Sequence, residues 1–498
     1  MDRLRRIDVW HYAFPIAMFL LLIQPILPTL STGLWGPADP FINADFNGGW
    51  WLWWASSEFW SGTDWTQQVA YPTGAVSLAR VIPNPTDMFL LGMTGPPTAL
   101  KWNLAQLFHV LCTLAAGVAL ARAAGASRWA SATAMCLVAG SPVMLHEVAG
   151  GRPSNLIVWP GLLSLVFLVK NKPRASGLMA ALQAVLYLWH GVALILIGWV
   201  LVRDWSVAKK AILWGGAAIF PYLVWLFWGN AGMPSQAPPD GYTALPLAGI
   251  FGMDGVPERF RLHALLFPLA FLAIKADRRW LYAGLLGVFV AVGPWPTWDL
   301  GSSFGASPLA WLYWLVEPME RMHHPVRVTL IGLPVLAVAL ALGLDALPKG
   351  RFLALALVCW VGLKPGDMQR ATTYDQEPVV PFATAKVPGD GPVVDLLGMH
   401  HRTALSYQTI HRRSIAEPLL FRRGNEPVHR NLTALVDGEV VPSDTWLILR
   451  QMGFEYVLVF DREPSGRGEA VRIQVEAALG RPERPGVYSL LGLAVVPD

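Results

Sequence analysis

The sequence predicts a membrane-embedded all-α helical bundle followed by a small α/β domain outside the membrane. Three observations predict it. The 498 residues are 54% hydrophobic and only 14% charged, against about 25% charged in an ordinary soluble domain. Apolar runs of membrane-spanning length recur from Tyr12 to Leu363, the signature of a polytopic membrane protein. From about Lys364 onward the composition turns soluble, so the expected division is a transmembrane part over 1–363 and an outer domain over 364–498.

Lys and Arg collect on the cytoplasmic side of a membrane protein. Arg3, Arg5 and Arg6 therefore place the N-terminus inside. The first apolar run (about 12–30) is long and lacks a small-x-small cleavage site, so it reads as an uncleaved helix and not a signal peptide. It leads out to a tryptophan-rich loop, Trp35 to Gly74, in which Gly48 to Trp60 is expected to lie flat on the membrane as an interfacial helix. Helix two (about 100–121) returns to Arg122 and Arg128, and helix three (about 129–145) exits at His146-Glu147. Helix four (about 155–170) re-enters at Lys170, Lys172 and Arg174.

Ser176 to Val202 reads either as one long helix or as two short ones meeting at Trp189-His190-Gly191. The basic residues Arg203, Lys209 and Lys210 favour the pair, which returns them to the inside. Helices that short do not each cross about 30 Å of hydrocarbon and need shielding by protein or a wet cavity. Helix seven (about 211–229), helix eight (about 262–275), helix nine (about 280–293), helix ten (about 326–343) and helix eleven (about 352–363) follow. Long outer loops lie over 230–261 and 294–325, the second with another interfacial helix at Pro308 to Met322. The sum is about eleven crossings, with the C-terminus outside.

In the outer domain PVVDLL (392–397), FEYVLVF (454–460) and GVYSLLGLAVV (486–496) read as strands by their β-branched and aromatic content. Arg467 to Leu479 has helical spacing and ends at Gly480.

Several function classes are excluded. No basic patch with interleaved aromatics points to nucleic acid. No GxxxxGK[ST] loop or GxSxG elbow is present, which argues against ATP and serine hydrolysis. Cys112, Cys136 and Cys359 sit in apolar runs with no ligand spacing and read as small core residues. The Trp35–Gly74 stretch, by contrast, carries Asp39, Asp45, Glu58 and Asp64 among tryptophans. Indoles favour the water–lipid boundary, so these carboxylates suit either chemistry on a lipid-borne substrate or a plain anchoring surface.

Particular stretches carry a likeness. Asp45 precedes GGWWLWW and a YPTG turn at 71–74; Glu147 precedes GRPSNLIVWPGLL; LYLWHG (186–191) falls between two short helices; ERMHHPVRV (320–328) precedes the last membrane helix but one. In the outer domain ALSYQTIHRRSI (404–415), LRQMGFEYVLVF (449–460) and ALGRPERPGVYSLL (478–491) add to it. With these the chain resembles the GT-C superfamily of polytopic membrane glycosyltransferases, in particular its bacterial members. The resemblance implies a multi-pass protein of the bacterial plasma membrane that transfers a sugar at the outer face. The donor would be a polyprenyl-phosphate sugar and the acceptor a glycan, lipid or protein. It also implies a catalytic carboxylate in the first outer loop, a second acid in the next and in some members a divalent metal. Asp39 and Asp45 stand six positions apart, a departure from the tight Asp-x-Asp metal pattern.

On that basis Asp45 is the first candidate for the general base that takes the acceptor's proton, its alternative being a helix cap. Asp39 is a second catalytic candidate, otherwise a turn residue. Glu147 and His146 are candidates to hold Mg²⁺ or Mn²⁺ with Asp39 or Asp45. Arg327, Arg321 and Arg152 are candidates for the donor phosphate, which suits bidentate guanidinium donors, and His190 is a further substrate-binding candidate. His400, His401, Tyr407 and His411 read as a solvated face or an acceptor site. The rival classes are a lipid or substrate transporter, for which the broken hairpin speaks, and a non-catalytic protein of the same fold.

Overall fold

The structure is a computed structural model. It describes residues 9–36, 44–63, 86–229, 245–253, 256, 261–299, 303–315, 325–363, 372–375, 387–396, 408, 431–432, 434–435, 439–459, 467–484 and 486–493. The chain divides into two compact units: Met1–Gly36 with Ala99–Thr373, and Pro37–Thr98 with Tyr374–Asp498. The tryptophan-rich loop thus belongs with the C-terminal residues and not with the helices that flank it in sequence.

The first unit is helical, and its apolar runs become helices with ends set by proline, glycine and caps. Among the described residues three helices are long and apolar enough to cross a bilayer alone: Ala99–Ala124, Trp205–Trp225 and Pro325–Ala346. The bent pair Arg128–Ala139 and Pro142–Ala149, 51° apart, makes a fourth if taken as one broken span. The other apolar helices are shorter, among them Trp10–Leu22, Leu188–Leu201 and Leu266–Lys275. The expected eleven crossings are therefore not present as eleven full-length helices among the described residues. The reason is local. Pro142 stands at the first position of its helix and cannot continue the one before it. Tyr187 is extended, at φ −152 and ψ 99, and separates Pro173–Leu186 from Leu188–Leu201. A helix of 14 residues reaches only about 21 Å.

The expected pair of short helices over 176–202 is thus present, its break two residues before the anticipated Trp189. The two double back on each other. A Cβ on Gly191 would lie 2.6 Å from the Cβ of Ala184 near the bend, while one on Gly198 would lie 3.7 Å from Leu168 at the far end.

The helix Thr329–Ala346 forms the centre of this unit, with Thr329 to Leu344 buried throughout. Glycines let its neighbours come close, as small residues do between membrane helices. A Cβ on Gly287, in the helix Arg278–Val292, would meet the Cα of Gly332 at 2.7 Å. The outer helix Trp205–Gly229 docks the same way on Pro173–Leu186, where a Cβ on Gly177 would come within 2.3 Å of the Ala211 carbonyl oxygen and 2.7 Å of the Gly215 nitrogen. Gly177→Leu is expected to force these two helices apart and cost about 1–3 kcal/mol, read as a lower thermal midpoint in detergent. An unchanged midpoint would show that the helices do not meet there.

In the second unit the predicted outer strands form a three-stranded sheet. Val393–Asp395 pairs parallel with Tyr456–Leu458, which pairs antiparallel with Val487–Ser489. The predicted helix Arg467–Leu479 is present. Val394, Leu449, Phe454, Val457, Val475 and Tyr488 form a small core around them. The same unit holds the helix Ala44–Trp60, and here an expectation is corrected. Trp50, Trp51, Leu52, Trp53 and Trp54 are between 1% and 6% exposed, buried in protein instead of lying on a membrane surface. Their indoles have protein partners: Trp51 Nε1 donates to Gln408 Oε1 at 2.9 Å and Trp53 Nε1 to the Gly95 carbonyl at 3.0 Å. The helix rests on the turn that follows Thr86–Leu91, with Gly92 so close to Ser56 that a Cβ would lie 2.4 Å away. Among its described side chains the exposed ones are Phe59 and Trp60, in the last turn. The second expected interfacial helix begins as a helix over Pro308–Leu315, and 316–324 lie outside the described residues.

Candidate functional site

The site candidates of the first unit come together around Glu147. This residue lies in the last turn of the short helix Pro142–Ala149 and is 5% exposed. The chain then turns at Gly150-Gly151, with Gly151 at φ +60, a conformation that favours glycine. The turn and the single 3₁₀ turn Pro153–Leu156 fold the next residues back onto the carboxylate. Arg152 Nη1 donates to Glu147 Oε1 at 3.2 Å, and Asn155 Nδ2 donates to Oε2 at 2.8 Å. The guanidinium lies across Gly150, where a Cβ would stand 3.4 Å from Cζ. A carboxylate so deep in an apolar bundle is costly unless paired and hydrogen-bonded, and here it is both.

Two distant segments complete the cluster. Arg327 lies in the 3₁₀ turn Pro325–Val328 that opens the central helix. It is half-buried, and its guanidinium acts electrostatically on Glu147. Its Nη1 donates to Tyr187 Oη at 3.3 Å. Tyr187 is the residue that breaks the helical hairpin, and its ring stacks on His190 with centroids 4.3 Å apart. His190 is fully buried. Its Nδ1 faces the Ile157 carbonyl at 3.2 Å and its Nε2 faces the Arg327 carbonyl at 3.0 Å. The ring therefore lies between the Glu147 loop and the Arg327 turn with a backbone oxygen at each nitrogen, donating to one of them at a time, and offers neither nitrogen to a substrate. Gln183 fastens the helix Pro173–Leu186 to the same loop, donating to the Ile157 carbonyl at 2.8 Å and accepting from Gly161 N at 3.0 Å.

The structure thus brings together Glu147, Arg152, His190 and Arg327 from the sequence candidates. It adds Asn155 and Tyr187, which sequence reasoning did not single out. Asn155 follows Glu147 within one loop, and that proximity was the only available signal; Tyr187 had none beyond its place in LYLWHG. His146 is the half-buried neighbour of Glu147 on the same helix. Asp39, Arg321 and the side chain of Asp45 lie outside the described residues; Asp45 itself falls in the first turn of Ala44–Trp60. His400, His401, Tyr407 and His411 also lie outside them.

The fit to a divalent metal follows from these partners. Among the described residues no three His, Cys, Asp or Glu side chains gather. Glu147 directs its oxygens to a guanidinium and an amide N–H, a set that satisfies a carboxylate and repels a cation. Glu147 and His146 do not form a site for Mg²⁺ or Mn²⁺ in this arrangement; Arg152 would have to leave first.

No family model matches the chain, and no curated protein is similar to it in sequence. Its structure is similar to that of the Archaeoglobus fulgidus oligosaccharyltransferase. Against the apo form the TM-score is 0.55 at 11% identity, covering 94% of this chain and 71% of the other. Against the form tethered by a disulfide bond to an acceptor peptide containing the NVT sequon it is 0.52 at 11% identity, covering 99% and 74%. At this identity the likeness establishes a shared fold and nothing finer.

Proposed function

We propose that the chain is a membrane glycosyltransferase that moves a sugar from a polyprenyl-phosphate donor to a glycan, lipid or protein acceptor. The observation that carries the reading is the convergence of Glu147, Arg152 and Arg327, from loops far apart in sequence, on one charged cluster inside an apolar bundle. Ionisable groups at such depth mark functional sites. The fold shared with an oligosaccharyltransferase supports the same class, and the acceptor peptide of that neighbour makes a protein acceptor the first to try.

In this reading the acceptor hydroxyl attacks the anomeric carbon. The bond from that carbon to the donor's phosphate oxygen breaks, and its electron pair stays on the lipid phosphate. Arg327, with Arg321 from the same segment, neutralises that phosphate, while Glu147 holds Arg152 and orients Arg327. Asp45 takes the acceptor's proton, with Asp39 as the second acid. Asp39 or Asp45 would hold Mg²⁺ or Mn²⁺, which when bound supplies positive charge for a leaving phosphate. The protein sits in a bacterial plasma membrane, crossing it about eleven times, with the N-terminus cytoplasmic and the reaction and the 364–498 domain at the extracytoplasmic face.

The test is turnover in liposomes. Purified protein is given a panel of polyprenyl-phosphate sugars with candidate acceptors, with and without Mg²⁺ or Mn²⁺, and free polyprenyl phosphate is measured. Release with one donor supports the reading. Binding of a donor with no release across the panel moves the protein to the non-catalytic class. The transporter reading draws on the broken helices at Gly140–Ser141 and Tyr187, and it predicts lipid flux across the same liposomes without bond cleavage.

A further inference from the structure

An open groove of about 310 Å³ runs between the helices Trp159–Val169, Pro173–Leu186, Leu188–Leu201 and Trp205–Gly229. That volume falls in the range of ligand sites, about 300–1,000 Å³. Its floor is made of small residues, including Gly177, Ala181, Ala184, Gly191 and Ala208. Its rim is made of exposed large ones, Ile195, Trp199, Trp205 and Ile212, between 48% and 65% exposed. The only hydroxyls in the lining, Ser164 and Ser176, are buried and satisfied by each other: Ser164 Oγ donates to the Ser176 carbonyl at 2.9 Å and lies 3.3 Å from Ser176 Oγ. Water needs two to four polar partners and finds none free among these. The space therefore suits a hydrocarbon chain.

One end of the groove is strongly basic. Leu168 and Ser176 line it on either side of a turn that carries Lys170, Lys172 and Arg174, all exposed. Ala208 lines it next to Lys209 and Lys210, also exposed. Arg174 lies 4.9 Å above the Trp214 ring and so brings the two basic segments to the same end. Arg203 there is 3.4 Å from Asp277. The acid closest in sequence, Asp204, caps its own helix through Ser206 N at 2.8 Å and offsets part of the Lys210 charge, leaving the five cations in excess.

We propose that the groove binds one anionic membrane lipid, its acyl chain along the small-residue floor and its phosphate among Lys170, Lys172, Arg174, Lys209 and Lys210. The floor reaches Gly191, next to the His190 that holds the Arg327 backbone, so the lipid lies against the hairpin that supports the charged cluster. The site is separate from that cluster and does not depend on the proposed reaction. Its charge selects the occupant: a neutral lipid fills the same groove but leaves the cations unmatched.

The test is native mass spectrometry of the full chain, delipidated in detergent and titrated with dioleoylphosphatidylglycerol or dioleoylphosphatidylcholine. The first phosphatidylglycerol adduct is expected at about tenfold lower lipid concentration than the first phosphatidylcholine adduct. Gly216→Phe puts a ring into the groove at a position with nothing within 4 Å of its Cβ, and it is expected to abolish that first adduct. The exposed pair Lys172→Glu and Lys209→Glu, which leaves the packed floor untouched, is expected to erase the preference while keeping the thermal midpoint. Equal affinity of the two lipids for the unaltered protein overturns the proposal. So does a preference that survives the double charge reversal, or a first adduct undiminished in a folded Gly216→Phe protein.

Discussion

Replacing Glu147 by Ala is expected to destabilise the helical unit by about 3–5 kcal/mol, the cost of breaking a buried ion pair from one side. The reasoning rests on what stays behind. Arg152, whose side chain is only 17% exposed, loses its 3.2 Å contact with the carboxylate. Asn155 Nδ2, itself buried, loses its 2.8 Å acceptor, and Arg327 loses an electrostatic partner. Nothing else described in the cluster is anionic. Exchanging Arg152 for Met as well removes the cation that Glu147 contacts, so the double variant is expected to recover part of the loss, a non-additivity that marks direct coupling. Thermal unfolding in detergent reads both. A single-variant loss under about 1 kcal/mol would show a carboxylate solvated like a surface group.

The second large effect is on activity. Arg327→Gln is expected to lower donor turnover about 10²–10³-fold, the scale for removing one preorganised donor aimed at developing charge. The fold should survive, because the joint with His190 uses the Arg327 backbone carbonyl, which the substitution keeps. The side-chain hydrogen bond to Tyr187 that is lost is a long one, at 3.3 Å. Thermal stability near that of the unaltered protein together with lost turnover separates a phosphate ligand from a structural arginine. Lost stability with unchanged turnover per folded molecule would assign Arg327 to packing.

Much of the fold was legible because apolar runs and secondary-structure signals are local. The helix ends at Leu479 and the strands at 393–395, 456–458 and 487–489 fall inside the predicted segments. Helix continuity was legible in part: Pro142 interrupts the run read as one helix over about 129–145, whereas the break at Tyr187 falls two residues from the one that the charge pattern favoured. The tryptophan-rich helix was misread for a physical reason: an indole with a buried ring and a satisfied N–H has the same composition signal at a lipid boundary and in a protein core. Only the partners, Gln408 for Trp51 and Gly95 for Trp53, distinguish the two. Within the site, Glu147, Arg152 and Asn155 share one loop and could be read together. The link from His190 to Arg327 spans 137 positions and rests on a backbone oxygen, which no side-chain pattern announces. It changes the part assigned to His190 from binding substrate to holding the frame on which Arg327 stands.

The most direct test of the central claim compares the unaltered protein with Asp45→Asn in liposomes, using the donor that the panel selects and counting both polyprenyl phosphate released and sugar transferred. The exchange keeps the side chain's size but removes the basic carboxylate. The account predicts normal folding and a drop in transfer of about 10²–10⁴-fold, the scale of a lost general base. Full transfer by Asp45→Asn at equal expression would contradict it.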